Sequence, residues 1–549
     1  MSSPGLSLRS FGGQASFPPS VPPSRLILII SIAQFLFFVF LGLTRHWSYL
    51  TSALDLGVYD QSLWGILHGR PFHSSLYDFD QPINRLGVHF NPILALFAPL
   101  YAIRPAAEWL ILIQALAISI TAWPLYVLGV RVLSSEHSAM LWTIVYLFNP
   151  FVLGAAAWDF QSIALASPLM ALGMLSLELK RPKLLLFSCL LLLLVREHFG
   201  VAVAGFGVLW WLRHRTLVPG LLAVGLGGAS FLMVLGVIMP ALSPVGSHMM
   251  LSQDLGQLSR YGWLGSSMSD VVRTLVLHPV DVLRVVFLEL GGWMYATLLL
   301  LPLAALPLAG REFLLPAVAD LTANLLSANP MPRSVFAYHS IALIPVLVVA
   351  GMHGARRLSR FERYSVVGLG RLVLVASLLV TYRLLPLPLP GATNIWEPVE
   401  YRLRPEKSLS EIRALLPSEV TLSAQANIAP HFTQRASIRA FPHGLGEVDC
   451  VVLRLASPTG RIGGDNPGEV GSLAHHLQMD PADFLTSVRD VVASDEYALR
   501  YWNPPWTVLC RGASMGDAEK ETIYSEVDDV AEMWELPPSF NGVELRGSS

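Results

Sequence analysis

Two carboxylates lie close together in a polar stretch that follows the first long apolar segment. Asp55 and Asp60 stand five residues apart within residues 54–64, with Gly57 between them. On one helix this spacing puts them on different faces, whereas a turn at Gly57 would let both point into one pocket. A carboxylate near an apolar surface has its pKa raised toward the range of a general base. We expect one of the two to take a proton from an acceptor hydroxyl, or to bind a metal-phosphate, while the other orients it.

Both carboxylates also fit roles that need no chemistry. Asp55 could cap a helix beginning near Leu56, and Asp60 could simply be solvated. In a shared pocket, a divalent metal such as Mg or Mn could sit between the two carboxylates and a bound phosphate. The sequence does not decide whether a metal is present.

Further ionisable residues lie between apolar runs. His89 could donate to a phosphate or position a carboxylate, or it could only tether its loop. Asp159 could bind substrate or only cap the helix that follows it. Arg196 and Glu197 end a leucine-rich run, where ionisable side chains are costly unless they pair or face a cavity. Unless the two form a mutual ion pair, the guanidinium of Arg196 is suited to donate hydrogen bonds to a phosphate oxygen.

A later polar loop adds more candidates. Arg333, Tyr338 and His339 could supply phosphate donors, although a lone arginine beside a membrane more often extends to the lipid headgroups. Asp320 and Asn324, one turn apart in an apolar run, are expected to make hydrogen bonds between helices. The catalytic candidates are therefore Asp55, Asp60 and His89, and the substrate-binding candidates are Asp159, Arg196, Glu197, Arg333, Tyr338 and His339.

Composition places these residues in a membrane protein. The chain has 549 residues, of which 53% are hydrophobic and 14% charged, and its mean hydropathy is +0.52. Such a chain is too apolar for a soluble multidomain enzyme. A net charge of -2 argues against a nucleic-acid partner. Three cysteines without metal-ligand spacing argue against a zinc site.

Apolar runs predict an α-helical polytopic membrane domain over residues 25–386. About 11 segments have a composition suited to crossing a bilayer, namely 26–44, 108–132, 137–156, 160–179, 183–196, 198–213, 218–240, 285–308, 312–328, 338–355 and 364–386. The first is expected to be a retained anchor. Residues 1–24, rich in Ser, Pro and Gly, are expected to form a disordered cytoplasmic tail.

Basic loops predict the orientation of these segments. Residues 180–183, 213–215 and 356–363 should face the cytoplasm, together with the amino terminus. These constraints agree only if 88–103 does not cross, and its two prolines favour a helix lying along the outer face. The alternative is an ordinary second crossing, which would put the basic loop at 180–183 outside.

The preferred topology has a consequence for the candidate site. Polar groups from five segments then fall on one outer face, namely 55–91, 158–161, 196–198, 241–284 and 329–339. The runs on either side of Arg196 are short for spanning helices, which suggests two half-buried helices meeting at a polar break. Broken helices at membrane depth usually line a cavity.

The composition changes after residue 386. A proline-rich linker leads to a small extracytoplasmic α/β domain over 387–515, with helices at 409–416 and 481–492 and strands at 420–423 and 450–453. Cys450 and Cys510 lie at the ends of strand-like runs, so a disulfide between them is possible on an oxidising side of the membrane. Residues 516–549 are expected to be a loosely ordered acidic tail.

Several motifs together resemble a family of bacterial and archaeal membrane proteins, the domain of unknown function 2079 family. They include the run from Asp55 to Gln61 with Trp64, the run from His89 to Leu94, Asp159-Phe160, Arg196-Glu197, Arg260-Tyr261-Gly262, and Asn324 to Ser327 followed by Tyr338-His339. The likeness covers about 30–360 and continues through Leu416-Pro417 to Arg435. The chain departs from the usual motifs at Gln161 and His198, so no catalytic role is carried over to either.

The resemblance implies a relation to type C glycosyltransferases, multi-spanning enzymes that take a sugar from a polyprenyl-phosphate carrier. It implies a large first outer loop with interfacial helices, an Asp of that loop (Asp55, with Asp60 beside it) as base or metal-phosphate ligand, and a place in the bacterial inner membrane. The competing hypotheses are a transporter or lipid-handling protein without chemistry, and an anchor displaying residues 387–549 to a partner. The sequence does not identify the acceptor of the sugar.

Overall fold

The computed structural model of the chain describes residues 24–77, 81–246, 249, 260–385, 401–456, 473–512 and 514–536. The tail predicted over 1–24 lies outside the described residues apart from Ser24, whose side chain accepts from the backbone N–H of Ile27 at 3.4 Å and caps the first helix. The predicted linker after residue 386 lies largely outside them as well.

Helices make up most of the described chain up to Leu385. Its longer helical segments are Arg25–Trp47, Val58–Leu67, Glu108–Ile120, Ala122–Leu133, Glu136–Leu147, Pro150–Ala157, Ala166–Glu178, Pro182–Leu193, Phe199–His214, Leu217–Met233, Met268–Leu277, Gly292–Leu300, Leu306–Ala317, Val318–Leu326, Leu343–Leu358 and Val366–Leu384. Shorter π or 3₁₀ turns join several of them, among them Ala53–Gly57, Pro92–Phe97, Ser162–Leu165, Val285–Glu289 and Met331–Arg333. The bends fall where the sequence places proline, glycine or charged residues between apolar runs.

Among the described residues, four helices are long and apolar enough to cross a membrane, or six if two bent pairs each count as one span. The four are Arg25–Trp47, Glu108–Leu133, Leu217–Leu242 and Val366–Leu384, and the pairs bend by 42° after Leu147 and by 71° after Glu289. The protein is thus a helical membrane protein with fewer full-length candidate spans than the 11 expected.

The difference comes from helices that are apolar but short. Phe199–His214 and Leu343–Leu358 have 16 residues each, or roughly 24 Å at about 1.5 Å per residue, against a hydrocarbon core of about 30 Å. Pro182–Leu193 and Pro92–Ile103 are shorter still. The predicted interruption at Arg196 is present, because one helix ends at Leu193 and the next begins at Phe199.

The helical bundle has two chemically different ends. Ala166–Glu178, Phe199–His214 and Leu343–Leu358 each run from the end that holds the candidate residues to an end rich in arginine. There Arg213 lies 2.8 Å from Glu178, and Arg357 pairs with Glu312. The basic loops that were predicted to share one side of the membrane therefore lie at the same end of the bundle, which we call the basic end.

A five-stranded mixed sheet forms the carboxyl-terminal domain. Counting the short hairpin His73–Ser74 and Ile83–Asn84 as β1 and β2, its strands are β3 (Leu422–Ala424), β4 (Ile438–Ala440), β5 (Cys450–Arg454), β6 (Tyr497–Asn503) and β7 (Trp506–Arg511), in the order β4-β3-β5-β7-β6. β3 is parallel to β4 and β5, and β7 is antiparallel to β5 and β6. Cys450 stands opposite Cys510 in this register, and the two form the disulfide that the sequence allowed.

The sheet is covered on both faces. Because alternate strand residues face opposite sides, Cys450 and Val452 pack into the core shared with the helical bundle, whereas Val451 and Leu453 pack into a second core. Helices Pro481–Ala493 and Asp517–Met533 form the other side of that second core. The domain is therefore docked on the bundle by one face of its sheet.

The prediction of a loosely ordered tail from residue 516 is wrong for the helix Asp517–Met533. Ile523, Val527, Val530 and Ala531 are buried at helical spacing along one side of it. The acidic residues between them obscured this apolar stripe, which is what holds the helix on the domain. Residues 537–549 lie outside the described part of the chain.

Candidate functional site

The helix that carries both candidate carboxylates has no turn at Gly57. A π-helical turn, Ala53–Gly57, continues directly into Val58–Leu67, so the predicted shared pocket is wrong. Asp55 and Asp60 leave this helix on different sides and contact different groups, as the spacing of five residues on one helix requires. The described residues also contain no group of three His, Cys, Asp or Glu side chains able to hold a metal ion.

Asp55 is half-buried between the helix and the turn at residues 158–161. Its Oδ1 accepts from Nε2 of Gln161 at 2.6 Å, and its Oδ2 accepts from Nε1 of Trp158 at 3.3 Å. Burial raises the pKa of Asp55, and His475, Trp158, Gln161 and Arg260 oppose that shift. Asp55 is therefore a carboxylate that is held in place by two neutral donors and remains partly accessible.

The turn at 158–161 is positioned by an amide inside an apolar helix. Nε2 of Gln114 lies 3.0 Å from the carbonyl oxygen of Trp158 and 3.3 Å from that of Asp159, and Oε1 of Gln114 accepts from the backbone N–H of Gln161 at 2.8 Å. Gln114 is the one glutamine in the apolar run 108–132, and this is its only signal in the sequence. Gln114 thus fixes both residues that bind Asp55.

Asp159 anchors the start of the Asp55 helix. Its Oδ2 accepts from the backbone N–H of Ser52 at 2.7 Å, and its Oδ1 lies 3.7 Å from Arg45. Burial raises the pKa of Asp159 to about 7, with Arg45 opposing the shift and Asp55 adding to it. These contacts indicate a structural role for Asp159.

Three arginines lie in the interior of this end of the molecule without a carboxylate partner among the described residues. Arg85 and Arg196 are 2% and 4% exposed, and Arg260 is half-buried. Nε of each is buried without a hydrogen-bond partner. We call Arg85, Arg196 and Arg260 the arginine cluster. Buried cations are costly unless an anion accompanies them, so the cluster is suited to an anionic ligand.

Aromatic and neutral groups surround the arginine cluster. The guanidinium carbon of Arg85 lies 3.6 Å from the ring centre of Tyr59, and its Nη1 donates to Oδ1 of Asn91 at 2.7 Å. Arg196 lies 6.0 Å from the ring centre of Tyr338, and Arg260 contacts Nε2 of His339 at 3.1 Å. These partners orient the guanidinium groups without neutralising them.

Tyr338 joins the arginines to Asp55. Its ring lies 5.7 Å from that of Trp158 and stacks on that of His339 at 4.0 Å, centre to centre. Asp55, Arg196 and Arg260 all act on the pKa of Tyr338, which burial raises. Arg85 is connected through Tyr59, whose hydroxyl donates to Oε1 of Gln161 at 3.0 Å. Asp55, the stacked rings of Tyr338 and His339, and the arginine cluster therefore belong to one site, which we call the Asp55 site.

Glu197 and His89 hold the loop before Pro92 against the helix break. Nδ1 of His89 lies 3.2 Å from Oε1 of Glu197, and Oε2 of Glu197 accepts from the backbone N–H of Phe90 at 3.0 Å. The mutual pair of Arg196 and Glu197 that the sequence allowed is not formed. Burial and Arg196 lower the pKa of His89 to about 3, while Glu197 opposes the shift. His89 is therefore neutral and a positioning residue.

Two other candidates lie apart from the Asp55 site. Nη1 of Arg333 donates to the backbone oxygens of Asn324 at 3.0 Å and Ser327 at 2.5 Å, which satisfies the end of helix Val318–Leu326. Asp60 is fully buried, with Tyr101, Thr433 and Gln434 as its donors. The prediction that Asp60 is simply solvated is wrong, because its side chain is fully buried. Arg333 and Asp60 thus have structural contacts away from the Asp55 site, and their predicted roles toward a substrate stay predictions.

The expected hydrogen bonds between helices are present. Asp320 lies 2.8 Å from Nε2 of His198, and Nδ2 of Asn324 donates to the hydroxyl oxygen of Tyr295 at 2.9 Å. Gln161 and His198, the two departures from the usual motifs, thus bind a carboxylate each.

A family described as a predicted membrane protein, domain of unknown function 2079, matches residues 45–453. The chain belongs to this family. The match covers the helix of Asp55, the arginine cluster and the strands β3 to β5, and it ends inside β5. No curated protein matches the chain. The helices and strands after residue 454 therefore lie outside the matched region of this DUF2079 protein.

Sequence reasoning missed three contributors to the site. Arg260 belonged to a motif of the DUF2079 family but carried no proposed role, and Arg85 stood unremarked in the first polar loop. His475, from the carboxyl-terminal domain, lies close enough to Asp55 to lower its pKa. Its sequence signal, a pair of adjacent histidines, is too common to indicate a site.

Proposed function

We propose that this DUF2079 protein is a membrane glycosyltransferase that moves a sugar from a polyprenyl-phosphate-linked donor to an acceptor outside the cytoplasm. The observation that carries the proposal is a half-buried carboxylate, Asp55, beside arginines that have no carboxylate partner among the described residues. A phosphate would supply the missing negative charge, and a carboxylate of raised pKa is suited to accept a proton.

The chemistry assigned to the site is an inverting transfer. The arginine cluster holds the donor phosphate, and Asp55 takes the proton of the acceptor hydroxyl. A bond forms between the acceptor oxygen and the anomeric carbon as the bond from that carbon to the phosphate oxygen breaks. The phosphate oxygen keeps the electron pair, and the guanidinium groups stabilise the charge of the departing polyprenyl phosphate.

Guanidinium groups suit this leaving group because they stay charged at any physiological pH and present several donors to phosphate oxygens. Arg196 lies at the helix break between Pro182–Leu193 and Phe199–His214. The short helix before the break exposes Phe187 and Leu190 by about half on its outer surface. A carrier chain could lie along this apolar surface while its phosphate reaches Arg196.

The topology proposed with this function places the basic end of the bundle in the cytoplasm and the sheet domain outside. The basic loops at that end favour this orientation, and the disulfide Cys450–Cys510 suits an oxidising compartment. About 11 crossings, several of them by short or broken helices, and the 12-residue helix over 92–103 lying along the outer surface complete the proposal. A bacterial inner membrane is the expected location.

A turnover assay on the purified protein tests this function. Release of polyprenyl phosphate from lipid-linked sugars is compared among the wild type, Asp55→Asn and the control Asp281→Asn, whose side chain is 77% exposed. Thermal unfolding verifies that all three are folded, and parallel runs contain a divalent metal or a chelator. Release by the wild type and the control, but not by Asp55→Asn, supports the proposal.

The opposite result has a defined meaning. If the folded wild type binds several lipid-linked sugars but releases polyprenyl phosphate from none, with metal or without, the transferase proposal fails. A transporter or lipid-handling role, in which the arginines bind phosphate without chemistry, then becomes the better hypothesis.

A further inference from the structure

A short helix of the carboxyl-terminal domain covers the Asp55 site. In Leu473–Leu477, residues Leu473, His476 and Leu477 are buried and His475 is half-buried. Just after it, Nε2 of Gln478 donates to Oγ of Ser52 at 2.6 Å. This hydrogen bond ties the helix to the residue that precedes the Asp55 helix, although the two are 426 positions apart in the chain.

His475 and Asp55 share one neighbour, the indole of Trp158. The His475 ring lies edge-on to the Trp158 ring with 6.1 Å between ring centres, while Nε1 of Trp158 donates to Oδ2 of Asp55. Charged or titratable groups that act on His475 include Asp55, Arg45 and His476. Arg260 also lowers the pKa of Asp55, and Asp55 raises that of Asp159.

We propose that His475 forms a proton-exchanging pair with Asp55, so that the docked carboxyl-terminal domain completes the site. The role of this pair in turnover rests on the proposed transferase function. The proton taken from the acceptor hydroxyl passes from the carboxyl of Asp55 to a ring nitrogen of His475 and from there to water. Asp55 is left ionised for the next turnover, and no further reactant is needed.

The electrostatics of the two groups agree with this exchange. Burial lowers the pKa of His475 and raises that of Asp55, so the two move toward each other. Each also favours the charged form of the other. Groups that interact in this way titrate as a pair and share a proton between them. His475 acts through Asp55 and is a positioning residue for it.

Exchange of the hydrogen on imidazole Cε1 with deuterium, followed by mass spectrometry, tests the pair without any turnover. The rate for each histidine of the full chain follows its protonation, so a pH series gives a midpoint for His475. In Asp55→Asn we expect this midpoint to fall by about half a pH unit or more, because the carboxylate that favours the imidazolium is gone. Asp55→Ser should give the same fall. His73, which contacts the carbonyl of Pro71, is the internal control.

An unchanged His475 midpoint in folded Asp55→Asn and Asp55→Ser would overturn the pair, whether or not the protein is a transferase. Where the wild type turns over, His475→Gln should raise the apparent pKa of the acidic limb of kcat/KM, since the imidazolium no longer favours the Asp55 carboxylate. His73→Gln should leave that limb in place. A purely structural role of His475 would lower turnover without moving the limb, and that result would overturn the relay. If the wild type shows no turnover while the midpoint shifts, the transferase function fails and the pair stands.

Discussion

Asp55 and Asp60 lie on the same helix five residues apart, yet their side chains have different surroundings. Asp55 is half-buried, accepts from two neutral donors and stands beside arginines that have no carboxylate partner in the described part of the chain. Asp60 is 0% exposed and is enclosed by three donors, Tyr101, Thr433 and Gln434, of which the last two belong to the carboxyl-terminal domain. Asp55 is thus placed to accept a proton, whereas the oxygens of Asp60 are already occupied by hydrogen-bond donors.

The comparison shows how the surroundings of a buried carboxylate separate chemistry from structure. A fully enclosed carboxylate holds chain segments together through its hydrogen bonds. Because water cannot replace a lost partner there, removing one of these bonds lowers the stability of the fold. A carboxylate beside unpaired cations leaves a charge imbalance that a ligand can correct. The predictions below test this distinction, from the largest expected effect to the smallest.

Asp55→Asn should reduce turnover by about 100-fold or more, because the amide cannot accept the proton of the acceptor. The amide has only one acceptor oxygen for the two donors Gln161 and Trp158, so the melting temperature should also fall by about 2–4 °C while the protein stays folded. Release of polyprenyl phosphate and thermal unfolding are the measurements. Full turnover in folded Asp55→Asn would show that Asp55 is not the base.

Arg196→Met should weaken binding of polyprenyl phosphate about 10- to 100-fold, since a hydrogen bond to a charged group is worth about 1.5–3 kcal/mol. The same change should raise the melting temperature of the ligand-free protein, because it removes a buried charge for which the described residues provide no carboxylate partner. Arg213→Met, at the opposite end, is the matched control, since Arg213 pairs with Glu178. A loss of stability in Arg196→Met together with unchanged binding would mean that Arg196 is structural.

Local sequence patterns predicted the parts of the fold that depend on local properties. The helix break at Arg196 and the helix Pro481–Ala493 follow from the spacing of apolar and charged residues. The convergence of the polar loops followed from counting charges in loops. The number of full-length spans did not follow, because composition does not distinguish a crossing helix from a short one buried among its neighbours.

The candidate site could be predicted only where its residues break a local pattern. Asp55 and Arg196 are polar residues in apolar surroundings, and both belong to the site. Arg333 is also a polar residue in apolar surroundings, yet its guanidinium caps a helix end. Whether such an arginine binds backbone carbonyls or a ligand depends on tertiary packing, which the local sequence does not show. His475 could not be predicted, because only the docking of the sheet domain brings it to Asp55.

Asp60→Asn should destabilise the docked domain by about 1–3 kcal/mol at pH 7, because the amide group cannot accept from all three donors and must itself find an acceptor. Limited proteolysis within the predicted linker and thermal unfolding of the full chain measure the effect. Asp281→Asn serves as the exposed control. Unchanged stability and protease resistance would show that Asp60 does not hold the two parts together.

The pH dependence of stability gives the smallest and sharpest test. Burial raises the pKa of Asp60 to about 6, against the hydrogen bonds of Thr433, Tyr101 and Gln434. An acid whose pKa is higher in the folded state binds protons more tightly there, so its contribution to stability grows as pH falls through 6 and is lost as pH rises. From pH 7 to pH 5 this gain is about 1 kcal/mol.

Other buried groups titrate over the same range, so the measured quantity is the difference between the wild type and Asp60→Asn, followed by denaturant or thermal unfolding at each pH. Because the variant cannot gain a proton at this position, the stability difference between the two proteins should widen by about 1 kcal/mol from pH 7 to pH 5. A difference that is constant over this range would mean that Asp60 keeps an ordinary pKa when folded. The contrast between an open Asp55 and an enclosed Asp60 would then have to rest on their contacts alone.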